Sequence, residues 1–203
     1  MIQDRYQRIA WAYDILDFPW EYWRYQSIRP HLFNGLKGTI LDAGIGTGQN
    51  VNFYSKTANV IGIDLSRNML KRAAQRCLKI NNSVQLLEMN IIQSGFKDNT
   101  FDGVVSTFLF CVLNIEQQRG ALSEIYRILK PGGELRIMDY NYSSLPINYF
   151  AMKISAPWAK FAYGAQFNRS ISKKTLETES FEYLYSRWLF KDIIKMTVAK
   201  KPS

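Results

Sequence analysis

Cysteine is scarce in this 203-residue chain: Cys77 and Cys111 are the only two. They are too few for a disulfide framework and lack neighbours at metal-site spacing, so no metal centre is expected. No apolar run approaches the roughly 20 residues needed to span a bilayer. The opening Met1-Ile2-Gln3-Asp4-Arg5-Tyr6 lacks the basic, apolar and small-residue order of a signal peptide. A reducing cytoplasm is therefore the expected setting. The one histidine, His31, follows Pro30 ahead of the first predicted strand, where a surface or capping role outweighs that of a base. Repeats and low-complexity tracts are missing as well.

What is present suits one globular domain. Hydrophobic residues make up 47% of the chain and charged ones 21%, ordinary values for a packed core. The net charge of +9 is uneven. Residues 150–203 carry ten basic and four acidic side chains, whereas residues 39–149 carry eleven and nine. A basic tail attracts anionic membrane or nucleic acid, or simply solubilises. No RNA-binding motif accompanies it, so nucleic acid is not an expected partner.

The most informative stretch is Thr39-Ile40-Leu41-Asp42-Ala43-Gly44-Ile45-Gly46-Thr47-Gly48. It reads as a buried strand entering a turn with alternate glycines, which lets the backbone approach a ligand closely. Sixteen residues after Gly48, the apolar run Val60-Ile61-Gly62-Ile63 ends in Asp64, placed as an acid that accepts hydrogen bonds from a ribose diol. The dinucleotide fingerprint would need a further glycine where the chain has Gln49.

Beyond this point short apolar runs alternate with helical patterns, predicting a parallel sheet with helices on both faces. Ser66 is placed to cap a helix through Ile80. Val84–Met89 and Phe101–Phe108 read as the third and fourth strands, and Glu116–Leu129 as a helix stopped by Pro131-Gly132-Gly133. Glu134–Tyr140 is the predicted fifth strand. Phe181–Phe190 and Ile193–Lys200 read as an antiparallel pair.

The glycine turn between two strand-end acids resembles the signature of the class I S-adenosylmethionine-dependent methyltransferases. The segments Phe96-Lys97-Asp98-Asn99-Thr100-Phe101-Asp102 and Leu129-Lys130-Pro131-Gly132-Gly133-Glu134-Leu135 resemble family stretches before its fourth and fifth strands. The chain is similar to the small single-domain branch that holds ubiquinone/menaquinone, phospholipid and thiol methyltransferases. The resemblance implies an α/β, Rossmann-like, seven-stranded, mostly parallel sheet closed by an antiparallel hairpin. It divides one domain, 1–203, into an N-terminal helical cover (1–38), a cofactor core (39–140), a substrate-cover insertion (141–180) and the hairpin (181–203).

S-adenosyl-L-methionine is the implied cofactor. Asp42, Gly44, Gly46, Gly48, Asp64, Asn90 and Thr107 are the implied cofactor-binding residues. Asp64 falls to the ribose hydroxyls, and Asn90 stands where the family usually has an Asp facing the adenine amine. Asp42 is expected to support the glycine loop or to bond the cofactor's amino group. Ser106 and Thr107 are placed near the sulfonium. Tyr13, within Ala12-Tyr13-Asp14, and Asp139, beside Tyr140 and Tyr142, are the expected catalytic residues, orienting the acceptor or serving as its base.

Aromatic density in residues 6–25 and in Leu145–Gly164, where Lys153 and Lys160 are interleaved, fits a small-molecule or lipid substrate. It also fits peripheral contact with an anionic membrane. The expected acceptor is an amine such as a phospholipid headgroup. The alternatives are a quinone-ring carbon, a thiol, or cofactor binding without turnover. The quinone enzymes typically carry Ser-Phe-Gly-Leu-Arg-Asn after the fourth strand, where this chain has Thr107-Phe108-Leu109-Phe110-Cys111-Val112. The Asn/Asp-Pro-Pro-aromatic sequence of enzymes acting on base amines is missing from the fourth strand.

Overall fold

The computed structural model of the chain describes residues 25–80 and 84–203. Its seven strands are β1 (Gly38–Ala43), β2 (Ala58–Asp64), β3 (Gln85–Glu88), β4 (Phe101–Thr107), β5 (Leu129–Tyr140), β6 (Glu182–Phe190) and β7 (Ile194–Lys200). They form one sheet in the order β3-β2-β1-β4-β5-β7-β6. The first five run parallel. β7 is antiparallel to both β5 and β6. This is the mostly parallel, hairpin-closed sheet that the sequence predicts.

Alternation along each strand feeds two cores. Leu41, Ala43 and Val104 face one cluster, where they meet Leu122 and Ile125 of helix α2 (Ile115–Ile128). Ile40, Val60 and Val105 face the other, which takes Leu70 and Cys77 of helix α1 (Arg67–Lys79) together with Tyr25, Ile28 and Leu32. Ser66 caps α1 as expected, accepting from Met69 N–H at 3.3 Å. Two more helices follow β5: α3 (Pro146–Tyr163) and the short α4 (Lys173–Thr178).

Two of the boundary differences from the sequence expectation have a visible cause. α2 begins earlier because Asn114 and Gln117 form a reciprocal capping box, with bonds of 2.8 and 2.9 Å between side chain and backbone. β5 starts at Leu129, directly after the helix, so Pro131-Gly132-Gly133 lies inside a strand. A register shift between Phe101 and Gly103 absorbs the extra residues, and Gly132 takes a φ of +77° that an L side chain rarely adopts.

The two-core arrangement makes a direct test. Leu122→Ala, on the buried face of α2, is expected to lower unfolding free energy by about 2–5 kcal/mol. Leu78→Ala, exposed on α1, should stay within about 0.5 kcal/mol. Urea denaturation of both variants checks the assignment of faces.

Candidate functional site

Strand order reverses between β1 and β4, and a crevice at such a point opens beyond the carboxyl ends of the strands. Its wall is built from the turn after β1, the ends of β2 and β4, the loop after β3 and the segment 107–113, with Arg29 joining from the N-terminal side. The sequence-selected Gly44, Gly46, Asp64, Asn90 and Thr107 all lie in this wall.

The glycines of the turn do different work. A Cβ on Gly48 would sit 3.0 Å from Ala73 Cα, so this glycine lets α1 pack against the turn. At Gly46 a Cβ would meet nothing within 4 Å, and φ is +56°. The space in front of Gly46 belongs to the crevice, and the backbone there favours glycine.

Asp64 holds the turn in place. Its Oδ2 accepts from Gly46 N–H at 3.0 Å and its Oδ1 from Ser66 N–H at 2.7 Å. Burial pushes its pKa up to about 6, opposed by those two N–H groups and assisted by the charge of Asp42. Gln49, where the dinucleotide fingerprint would have glycine, accepts from Arg76 Nη1 at 2.7 Å, while Arg76 Nε donates to Thr47 O at 3.1 Å. α1 thus clamps the turn from outside.

Asp42 does not line the crevice. It is fully buried, and its Oδ2 accepts from Asn50 Nδ2 at 2.9 Å and from the Tyr54 hydroxyl. Burial raises its pKa against those two bonds and the nearby Arg29 charge. Asn50 is the hub: it also donates to Thr107 Oγ1 at 3.1 Å and accepts from Arg29 Nη1 at 2.6 Å. The network supports the turn from below, the other role expected of Asp42.

Asp139 lies outside the crevice wall as well. Its Oδ2 accepts from Cys111 N–H at 2.7 Å and its Oδ1 from Tyr140 N–H at 2.9 Å, and it is buried away from the crevice. Desolvation pushes its pKa up to about 6 despite the bonds from Cys111 and Tyr140. Its service is to hold the 3-10 turn Phe110–Val112 beneath the crevice wall. Ser106 is buried too and outside the wall. Asn90 lines the crevice with its Oδ1 turned to Ile92 N–H at 3.0 Å. His31 is exposed on the surface. Tyr13 lies outside the described residues.

Three contributors escaped the sequence reading: Arg29, Asn50 and Tyr54. Asn50 and Tyr54 follow the glycine turn closely enough to have been candidates, but no spacing rule marks them. Arg29 carried no local signal. Phe108 was legible only as an apolar wall residue. It adopts φ +54°, costly for a bulky side chain, and is held by its N–H bond to Met138 O at 2.8 Å and a ring stack on Tyr140 at 4.6 Å.

Comparison with known proteins agrees with this geometry. A family model described as a methyltransferase domain matches residues 40–133. Ubiquinone/menaquinone biosynthesis C-methyltransferase UbiE of Syntrophotalea carbinolica is 31% identical over 150 residues, covering 70% of this chain and 62% of that protein. Phosphatidylethanolamine N-methyltransferase of Cereibacter sphaeroides is 34% identical over 109 residues, covering 53% of each. The chain spans less than two thirds of the length of these curated relatives. Among solved structures, phosphoethanolamine N-methyltransferase 2 of Haemonchus contortus in complex with S-adenosyl-L-methionine superposes with a TM-score of 0.75 at 18% identity, a likeness of fold. That match covers 100% of this chain and 60% of the other.

The buried carboxylate under the wall has a readable signature. Asp139 titrates from the ordinary 3.8 when unfolded to about 6 when folded. Between those values the folded chain holds more protons, so this contribution is complete below about pH 4 and disappears as pH rises through 6. Asp139→Asn should remove this pH dependence, on the order of 3 kcal/mol across the interval. Melting curves of wild type and variant between these pH limits make the measurement, with the wild type losing ground to the variant as pH rises.

Proposed function

Because the chain belongs to the class I S-adenosyl-L-methionine-dependent methyltransferases, we propose that it binds S-adenosyl-L-methionine (SAM) in this crevice. It moves the SAM methyl to a small lipophilic acceptor, the amine of a phospholipid headgroup first among them. The observation that carries the reading is the pairing of Gly46 with Asp64. Open space faces the glycine, and a carboxylate pinned by two N–H groups stands beside it.

The residues present fit the cofactor. The outward lone pairs of Asp64 accept from a ribose diol. Asn90, its oxygen engaged by Ile92, offers its amide N–H groups to ring nitrogens of adenine. Leu65, Met69, Met89 and Ile91 supply apolar walls for a planar base. Arg29 brings a cation suited to the methionyl carboxylate. When bound, SAM supplies a methyl already activated on a positive sulfur. The chain has only to hold the acceptor in line at roughly 3–3.5 Å and keep water out.

The acceptor reading rests on charge. Among the described residues, Arg29 and Asp64 are the only ionisable groups in the crevice wall apart from polar amides and hydroxyls. An ammonium approaching that apolar space beside Arg29 gives up its proton to solvent water and enters as the nucleophilic amine, without a dedicated base. A ring carbon next to a hydroxyl asks for a positioned base, and both oxygens of Asp139 are held by backbone. The relative from Cereibacter sphaeroides supports the amine. The second reading, C-methylation of a quinone precursor, draws on the relative from Syntrophotalea carbinolica.

Incubation with methyl-labelled SAM and fractionated lipid extract tests the reading. Label in the aminophospholipid fraction is expected. Label in the quinone fraction selects the second reading, and SAM binding with no label anywhere overturns turnover. Calorimetry should give micromolar affinity for SAM, and Asp64→Ala should weaken it by about 1.5–3 kcal/mol, roughly 10–100-fold. The hydroxyls donate to the carboxylate form of Asp64, whose pKa is about 6 in the free protein. Affinity should therefore fall as pH drops below about 6 and lose that dependence in Asp64→Ala. Gly46→Val fills the open space and should abolish SAM binding, while its φ of +56° makes the variant about 1–2 kcal/mol less stable.

A further inference from the structure

Helix α3 turns one side toward the body and carries an apolar stripe on the other. Asn148, Met152, Ala156 and Ala159 form the stripe turned toward the body, with Met152 buried. Ile147, Phe150, Ile154, Trp158 and Phe161 recur at steps of three and four on the other side. They stand in solvent, from 57% exposed at Trp158 to 80% at Ile147. At about 100° per residue the five fall within an arc of about 80°, roughly opposite the buried stripe. Burial within the domain accounts for the first stripe and leaves the second without a purpose there.

Charge narrows what the second stripe meets. Lys153 and Lys160 lie next to each other on one flank of it, both exposed, and residues 146–163 contain no Asp or Glu. Lys153 Nζ also lies 5.4 Å from the Tyr149 ring, its stem along the apolar surface. No helix among the described residues is long and apolar enough to cross a membrane. We propose that the α3 stripe is a docking surface for an anionic lipid bilayer. α3 lies in the interface plane with its aromatic and aliphatic side chains among the acyl chains and its two lysines at the phosphates.

The start of the helix is tethered, and ring contacts lead from it to the crevice wall. Ser143 and Ser144, just ahead of it, donate to Asp192 at 2.6–2.8 Å. From Tyr149 a run of ring contacts passes through Tyr142, Phe167 and Tyr140 to Phe108, with centroids 5.2, 5.8, 5.3 and 4.6 Å apart. A bilayer seated on α3 therefore lies against the side of the molecule from which this aromatic run leads to the crevice wall. Delivery of a lipophilic acceptor along that side rests on the reading of the crevice given above; the docking itself does not.

Sedimentation of the full chain with vesicles of phosphatidylcholine alone, and of phosphatidylcholine mixed with phosphatidylglycerol, tests the proposal. The chain should pellet with the mixed vesicles at low salt, and binding should fall as salt rises. Ile154→Ser with Phe161→Ser should weaken binding about tenfold or more. Lys153→Gln with Lys160→Gln should reduce it to the level seen on phosphatidylcholine alone. Both pairs are exposed and outside the crevice wall, so SAM affinity should stay as in the wild type. Failure to pellet at low salt, or binding that survives both variant pairs, overturns the proposal. So does concentration-dependent self-association that the Ser variants abolish, since a second copy would then be the occupant. None of these readouts involves methyl transfer, so their failure leaves the crevice reading standing.

Discussion

Two backbone N–H groups, from Gly46 and Ser66, converge on the carboxylate of Asp64. The crevice takes its shape from that convergence. Gly46 belongs to the turn after β1 and Ser66 to the cap of α1, so one side chain at the end of β2 fixes the turn and the helix entry together. Desolvation is the cost of this arrangement, visible in the raised pKa of Asp64. The same desolvation strengthens the hydrogen bonds that this carboxylate accepts.

A second carboxylate works beneath the first. Asp42 is buried where a lone charge would be expensive, and Asn50, Tyr54 and Arg29 surround it. This polar knot links the segment ahead of β1, the end of β1 itself and, through Thr107, the end of β4. It spans the switch point of the sheet, the place where two neighbouring strands part and no backbone ladder joins the loops above. Asp139 repeats the device on the other side, tying the end of β5 to the turn that carries Val112 and Leu113 into the wall. Each strand-end acid near the crevice is thus engaged by its own surroundings, and Asp64 is the one that also lines the crevice.

Charge and exposure divide the molecule functionally. The wall of the crevice is mostly apolar with one cation, while α3 carries its greasy stripe on the outside with two lysines beside it. The ring contacts from Tyr149 to Phe108 join the two regions. Phe108, in its strained backbone conformation, ends that run at the mouth of β4 and is over-determined by its neighbours, as strained residues at functional sites must be.

The sequence by itself determined the sheet, the cap at Ser66, the glycine turn and the acid at Asp64, because each depends on local chemistry. Alternation has period two, a cap needs one oxygen at one position, and a tight turn needs glycine where φ is positive. It also singled out Asn90 and Thr107, which sit at strand ends that the topology was bound to gather. What only the tertiary structure decided was which of three similar acids faces the crevice. Asp42, Asp64 and Asp139 all end strands, and one-dimensional spacing treats them alike. Their fates differ because Asn50 and Tyr54 reach one, the backbone of Cys111 reaches another, and Arg29 arrives from a segment that carries no signature. The outer stripe of α3 was readable as aromatic residues with interleaved lysines, but inside and outside are properties of neighbours. Only the packing of Met152 against the body settled which face was left in solvent.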